Sequence, residues 1–300
     1  MYGQGRTSSS QSGQTPTYEI YALRYASLER SRNENTIFHD IHDGPMPMDF
    51  FVWLLKSEKQ VVLVDTGFNE ITAKARNRNL LCCPIDALAI LGVDPTEIGD
   101  VIITHMHYDH AGNVKKLPRA TFHLQDAEME YATGRHMRQQ RLRHAYSAED
   151  VVDLVRCVYE DRVAFHAGNE RLAPGIELLA IGGHTRGLQS LRILTKRGWV
   201  VLASDAAHYY DNMRLQNPFP IVFSVGDMLA GYDVLMRSAD SPDHIIPGHD
   251  PRVLDLYPRL PHPKLQVACL HLEPLGLSGL GSKADVEYIK GPLLRHKNEV

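Results

Sequence analysis

Cysteine is scarce in this chain, and the few present are badly placed to pair. Four occur in 300 residues, at Cys82, Cys83, Cys157 and Cys269; two are adjacent and none belongs to a Cys-x-x-Cys pair. That argues against a disulfide framework and leaves free thiols, so a reducing, cytoplasmic setting is expected. Basic runs are lacking as well. The formal net charge is -4, which disfavours a nucleic-acid partner, whose phosphates demand a positive surface. No apolar stretch reaches the roughly eighteen residues that a membrane span needs, so no membrane association is expected. Residues 1–17 are rich in Ser, Gly and Gln and carry no apolar core of the kind a secretory signal requires. They read as a disordered arm. A Gly-x-Ser-x-Gly elbow is also missing, which removes that route to a nucleophilic serine.

Against these absences stand a 43% hydrophobic content and 16 histidines. Apolar content at that level supports a substantial core, and the length suits one large domain. We place that domain at residues 18–273, followed by a tail at 274–300 that is rich in Gly and Pro at its start.

The histidines are unevenly spread. Thr104-His105-Met106-His107-Tyr108-Asp109-His110 sets three imidazoles and a carboxylate directly after the apolar run Val101-Ile102-Ile103. On extended backbone, residues two apart face the same way, so His105 and His107 point together. Asp109 and His110 fall on the turn that follows and can swing towards a second point. Crowding of this kind is costly unless a cation sits among the groups. Neutral imidazole suits zinc, and a carboxylate can bridge two ions. A lone His-x-His is common on exposed strands; the added Asp-His makes the pattern far more specific.

The remaining chain alternates between strand-like and helix-like runs. Strands are expected at 18–26, 120–124, 162–166, 176–181, 189–194, 199–203 and 244–246, with a hairpin formed by 49–56 and 60–64. Helices are expected at 70–79, 84–91 closed by Gly92, 126–133, 149–159 and 224–239. Residues 27–47 read as a polar surface segment in which His39 and His42 are solvated. Arg135, Arg138, Arg141 and Arg143 read as a solvated helical face, with a lid for an anionic or polar substrate as the lesser reading. Apolar runs end repeatedly in a His or Asp, at Asp65, His105, His184, Asp205 and His249. In a layered α/β fold such strand ends gather at one edge, where these proteins keep their sites.

Taken together, these residues resemble the metallo-β-lactamase-fold hydrolases. The resemblance rests on Thr104 to His110, with His184, Asp205 and His249 following in the family's order, and covers residues 18 to 260. It implies an αββα sandwich of two mixed β-sheets flanked by helices, with a dinuclear metal site at one edge. Carried over by position, His105, His107 and His184 would hold one divalent metal and Asp109, His110 and His249 the other, with Asp205 bridging them. Zinc is the default ion, while iron, cobalt and manganese accept similar ligands. Asp65 would stand behind a metal-bound histidine.

Within that superfamily the layout looks most like the N-acyl homoserine lactonases, which implies opening of a lactone ring by a hydroxide that bridges the metals. Asp205 would relay the proton. Those enzymes commonly carry a tyrosine three residues after the bridging aspartate. Here that position is His208, with Tyr209 beside it, so either could contact the substrate carbonyl. The alternatives are a lactonase for an unsaturated lactone from aromatic-compound catabolism and a glyoxalase II-type thioesterase. In the second, the Arg135 to Arg143 run is the available glutathione patch. The expected partner is a small-molecule lactone or ester, and a homodimer is left open.

Overall fold

The computed structural model describes residues 15–275. Most of the expected arm and tail therefore lies outside the described residues. In chain order the elements are β1 (Glu19–Leu28), β2 (Met48–Lys56), β3 (Val61–Val64), α1 (Glu70–Ala75), β4 (Asn79–Leu80), β5 (Asp100–Ile102), α2 (Tyr108–Ala111) and β6 (Thr121–Gln125). Then come α3 (Asp126–Thr133), α4 (Gln140–Arg143), α5 (Ala148–Tyr159), β7 (Val163–His166), β8 (Glu170–Ala173), β9 (Ile176–Ala180), β10 (Gln189–Thr195) and β11 (Gly198–Ser204). The chain continues through α6 (Tyr210–Arg214), α7 (Val225–Ser238), β12 (Ile245–Pro247), α8 (Arg252–Leu256) and β13 (Gln266–Cys269).

The strands make two mixed sheets. The larger runs β13-β1-β2-β3-β5-β6-β7, with β4 on the side of β1; the smaller runs β12-β11-β10-β9-β8. In the larger sheet β1, β2 and β3 pair antiparallel, whereas β3, β5, β6 and β7 pair parallel. In the smaller sheet β8 to β11 are antiparallel and β12 joins β11 in parallel.

Side-chain alternation explains the layering. On β2, Phe51, Trp53 and Leu55 face the other sheet, while Phe50, Val52 and Leu54 face a second core under the helices. Every residue of β2 except Lys56 is buried, because a strand covered on both faces reads as a continuous apolar run. The inter-sheet core joins these to Leu178, Leu191, Ile193, Val200 and Leu202 of the smaller sheet. A third core packs Val201 and Ala203 against Tyr232 and Leu235 of α7. Helix, sheet, sheet, helix is the expected αββα order. The helix α5 starts where Ser147 accepts the Asp150 N–H and buries Leu154 and Cys157.

Three local expectations change. The helix expected at 70–79 stops at Ala75, because Asn77 turns left-handed (φ 53°) and Asn79 and Leu80 then pair with Ser27 and Ala26. Short β8, with the weak pattern Glu-Arg-Leu-Ala, is an edge strand held by β9. Strand β13 exists through pairing with β1, over two hundred residues earlier in the chain.

The parallel strands deliver the site. Val64 and Ile102 lie side by side at the ends of β3 and β5, and Ser204 pairs with Pro247 at the ends of β11 and β12. The polar residues after each of these strand ends therefore share one edge of the sandwich.

Candidate metal centre

At that edge His105, His107, His184 and Asp205 bring ligand atoms within 4.8 Å of one another, and so do Asp109, His110 and His249. All seven side chains are buried. Asp205 links the groups. Its Oδ2 lies 3.1 Å from His184 Nε2 and 3.6 Å from His105 Nε2. Its Oδ1 lies 3.0 Å from His249 Nε2 and 3.4 Å from His110 Nε2. One carboxylate thus presents one oxygen to each group of imidazoles.

The nitrogens crowd in a way that protons alone do not satisfy. His107 Nδ1 lies 3.0 Å from His105 Nε2 and 3.0 Å from His184 Nε2. Burial, then repulsion from the neighbouring histidines, holds His105 and His107 well below the ordinary imidazole range. Both are therefore neutral, with lone pairs free to bind a cation. His110 Nε2 and Asp205 Oδ1 have no hydrogen-bond partner despite burial. Burial also pushes His110 down, but the carboxylates of Asp205, Asp109 and Asp65 outweigh it and hold the ring well above its usual value. The same negative potential draws a divalent cation. Donor set, convergence and orphaned atoms fit a pair of metal ions with nitrogen and oxygen ligands.

A supporting shell aims these groups. His110 Nδ1 faces Asp65 Oδ2 at 2.7 Å, and His249 Nδ1 donates to the Asp49 carbonyl at 2.8 Å. Each bond leaves Nε2 turned to the centre. Asp65 also accepts from the Thr104 N–H at 2.8 Å and its hydroxyl at 2.9 Å. The Thr104 hydroxyl in turn meets the Ser204 hydroxyl at 2.9 Å. Asp65 (φ 62°) and Ser204 (φ 47°) are both left-handed, a strained state for residues with a Cβ that this network holds in place. Gly248 leaves room for the centre: a Cβ there would press on the Ser204 backbone at 2.8 Å and on Asp205 Oδ1 at 2.9 Å.

A family model described as the metallo-beta-lactamase superfamily matches residues 51–249. The chain belongs to that superfamily. Among curated proteins, an N-acyl homoserine lactonase of Bacillus cereus is 29% identical over 187 residues, covering 56% of this chain and 68% of that protein. The N-acyl homoserine lactonase AttM of Azorhizobium caulinodans is 27% identical over 184 residues, covering 57% and 65%. Among solved structures, a quorum-quenching N-acyl homoserine lactone lactonase superposes with a TM-score of 0.67 at 23% identity, over 80% of this chain and 94% of that one. The hydrolase AbOPH superposes with a TM-score of 0.64 at 16% identity, over 87% and 100%. These superpositions establish the metallo-β-lactamase fold.

Not all of the residues singled out from sequence meet at this superfamily edge. His208 does. Its Nε2 lies 3.1 Å from Asp205 Oδ2, and its ring stacks on Phe219 with centroids 3.7 Å apart and planes 7° apart. It also falls within 4.8 Å of ligand atoms of Asp205 and His249. Burial, opposed by Asp205, pushes its pKa down to about 3, so the ring is neutral. Tyr209 departs from the expectation. It is buried, its hydroxyl donates to the Pro47 carbonyl at 3.3 Å, and it does not line the cleft over the centre. The two residues lie on the bend between β11 and α6, where the His208 ring enters the cleft and the Tyr209 ring does not. Arg135, Arg138, Arg141 and Arg143 do not line it either; His144, which follows them, does. His39 and His42 are exposed.

One residue of consequence went unread in the sequence. Glu128, fully buried in α3, accepts from the Met106 N–H at 2.9 Å, the Tyr146 hydroxyl at 2.8 Å and the Gly187 N–H at 3.2 Å. It ties the loop of His105 and His107 to the loop of His184. The available signal was Gly187, whose added Cβ would collide with the Glu128 backbone.

Proposed function

We propose that this chain is a dinuclear metal-dependent hydrolase that opens a lactone ring, with zinc as the default metal. His105, His107 and His184 would hold one ion, and Asp109, His110 and His249 the other, with Asp205 shared between them. The observation that carries this reading is the Asp205 carboxylate, one oxygen towards each imidazole group. Two such ions would lower the pKa of water towards neutrality and polarise an ester carbonyl.

The chain's own groups supply the rest. The proton released as water adds to the carbonyl returns to the alkoxide that leaves when the ring opens, and Asp109 and Asp205 are the carboxylates that line the cleft for this transfer. Nothing is left over: one water adds, one C–O bond breaks, and the product is a hydroxy acid. His208 donates a hydrogen bond to the oxyanion that develops at the carbonyl, a role that suits a neutral imidazole in a water-poor wall. Phe219 fixes its plane by stacking. Similarity to N-acyl homoserine lactonases supports a lactone as the substrate, as do the cleft's walls of Met48, Ile221 and Phe219. The thioesterase alternative loses the glutathione patch read from the sequence, because the Arg135 to Arg143 run stands away from the cleft, although Arg30, Arg76 and Arg78 line it; the thioester arm of the test below decides between the two.

The test is a hydrolysis panel on zinc-loaded protein, spanning γ- and δ-lactones, an N-acyl homoserine lactone and a glutathione thioester, with metal content measured on the same sample. Two metals per chain and turnover of at least one lactone class above the thioester are expected. Faster thioester cleavage than any lactone, or fewer than two tightly held ions, overturns the reading.

A further inference from the structure

Above the metal floor, an open cleft is rimmed by Arg30, Arg76 and Arg78, from two segments on opposite sides of β2 in sequence. Among the described residues, none of these three forms an ion pair with a carboxylate. Their remaining bonds separate their roles. Arg76 commits Nη1 to the His144 carbonyl and Nη2 to the Tyr146 carbonyl, each at 3.0 Å, and lies flat over the Tyr108 ring at 4.0 Å. It is a clamp on the loop.

Arg78 donates from Nε to the Tyr108 hydroxyl at 2.9 Å and from Nη1 to the Arg76 carbonyl at 2.6 Å, which leaves Nη2 for a ligand. Arg30 donates from Nη2 to the Glu34 carbonyl, sits 5.1 Å from the Phe219 centroid, and leaves Nε buried with no partner. Glu34 does not neutralise it at close range, since its carboxylate turns to the Ser31 N–H at 2.7 Å. Burial pushes the Arg30 guanidinium below its ordinary value; the Tyr209 hydroxyl and the Glu34 charge oppose this, and the Arg78 charge adds to it. Two half-buried cations face one cleft with donors to spare, a state that an anion relieves.

We propose that Arg30 and Arg78 form an anion-recognition rim, and that the substrate is a lactone or ester carrying an ionised carboxylate apart from the scissile bond. This rests on the hydrolase reading for the fate of the substrate, but the rim's preference for an anion is measurable without turnover. The planar fork of a guanidinium pairs with a carboxylate through two N–H bonds, and a second guanidinium across the cleft fixes its direction. A neutral lactone of the same size fills the same walls and leaves both cations unpaired.

The experiment uses the full zinc-loaded chain and matched probes. Calorimetry compares 2-hydroxyglutarate with the amide made at its carboxylate next to the hydroxyl, and rates compare the two corresponding γ-lactones. The dianion should bind about tenfold or more tighter than the amide, the scale of one charge-assisted bidentate contact. That ratio should fall to within about twofold in Arg30→Met and in Arg78→Met, which lie on separate segments and so do not share a folding defect. A ratio near one in the parent protein, or one unchanged in both variants, overturns the proposal. If the dianion is preferred but neither these γ-lactones nor any lactone of the panel above is opened, the rim stands and the hydrolase reading fails. If the amide lactone is opened as fast as the carboxylate and binds as well, the hydrolase reading stands and the rim fails.

Discussion

The floor of the cleft and its rim are built by different rules. On the floor every ligand side chain is buried, and a second group aims several of them: Asp65 holds His110, the Asp49 carbonyl holds His249, and Glu128 ties the backbones of the two histidine loops. At the rim, Arg30, Arg76 and Arg78 are half-buried and rest on aromatic faces. The floor tolerates little because metal coordination demands geometry to within a few tenths of an ångström. The rim tolerates more, because long side chains on loops can be exchanged without disturbing the sheets behind them. General chemistry belongs to the first region and substrate choice to the second.

The sharpest way to break that contrast is to strike the floor. His184→Ala should remove one ion and lower turnover by about a thousandfold or more, read as metal content and initial rate on one preparation. Retention of both ions with full turnover would undo the assignment of the floor. A step weaker, Glu128→Ala leaves the Met106 N–H, the Gly187 N–H and the Tyr146 hydroxyl without their acceptor. No ligand is touched, yet metal affinity should drop by about 10–100-fold in competition with a chromophoric chelator. Unchanged affinity would mean that the two loops hold their places unaided.

At the rim the expected effect is smaller and differs in kind. Arg78→Met should raise KM for a carboxylate-bearing lactone by about tenfold while metal content stays at the parent level. Loss of metal in this variant would merge rim and floor into one unit.

A titration behind the rim, at Asp150 near the Arg76 charge, gives the smallest effect. Burial raises the Asp150 pKa to about 6, opposed by its hydrogen bond to Ser147. A carboxyl raised in the folded state binds more protons there than in the unfolded chain, so its contribution to stability falls as pH rises from about 4 to about 6. Asp150→Asn should therefore gain stability relative to the parent by about 1 kcal/mol between pH 4 and pH 7, seen as a shift in urea midpoint. The helix dipole at the first turn of α5 favours the Asp150 charge and holds the effect below the full linkage value. No change in the difference between the two proteins across that range would place the carboxyl in water.

Much of the floor is legible in the sequence, and much of the rim is not. His105, His107, Asp109 and His110 lie within six residues after an apolar run, so their local pattern announced a shared task. His184, Asp205 and His249 were found because each follows a strand end, and parallel strands carry their ends to one edge. The arginines have no such signature. Arg30 reads as part of a polar loop and Arg76 and Arg78 as helix surface, and the richer Arg135 to Arg143 run drew attention instead. A charged residue looks alike in sequence whether it meets water or a cleft. Tyr209 was misplaced for a related reason: which of two adjacent side chains faces the cleft depends on how the backbone turns as it leaves β11.

By itself, then, the order of residues determined most of the strands and helices and the cluster of His105, His107, Asp109 and His110, because periodicity and ligand type are local properties; the layering and the assignment of the distant ligands followed from the family resemblance. Tertiary structure alone decided that β13 closes on β1, that Glu128 stands between two loops and that three arginines converge on one cleft. Those outcomes depend on contacts between segments far apart in the chain, and such contacts leave no periodic trace in either partner.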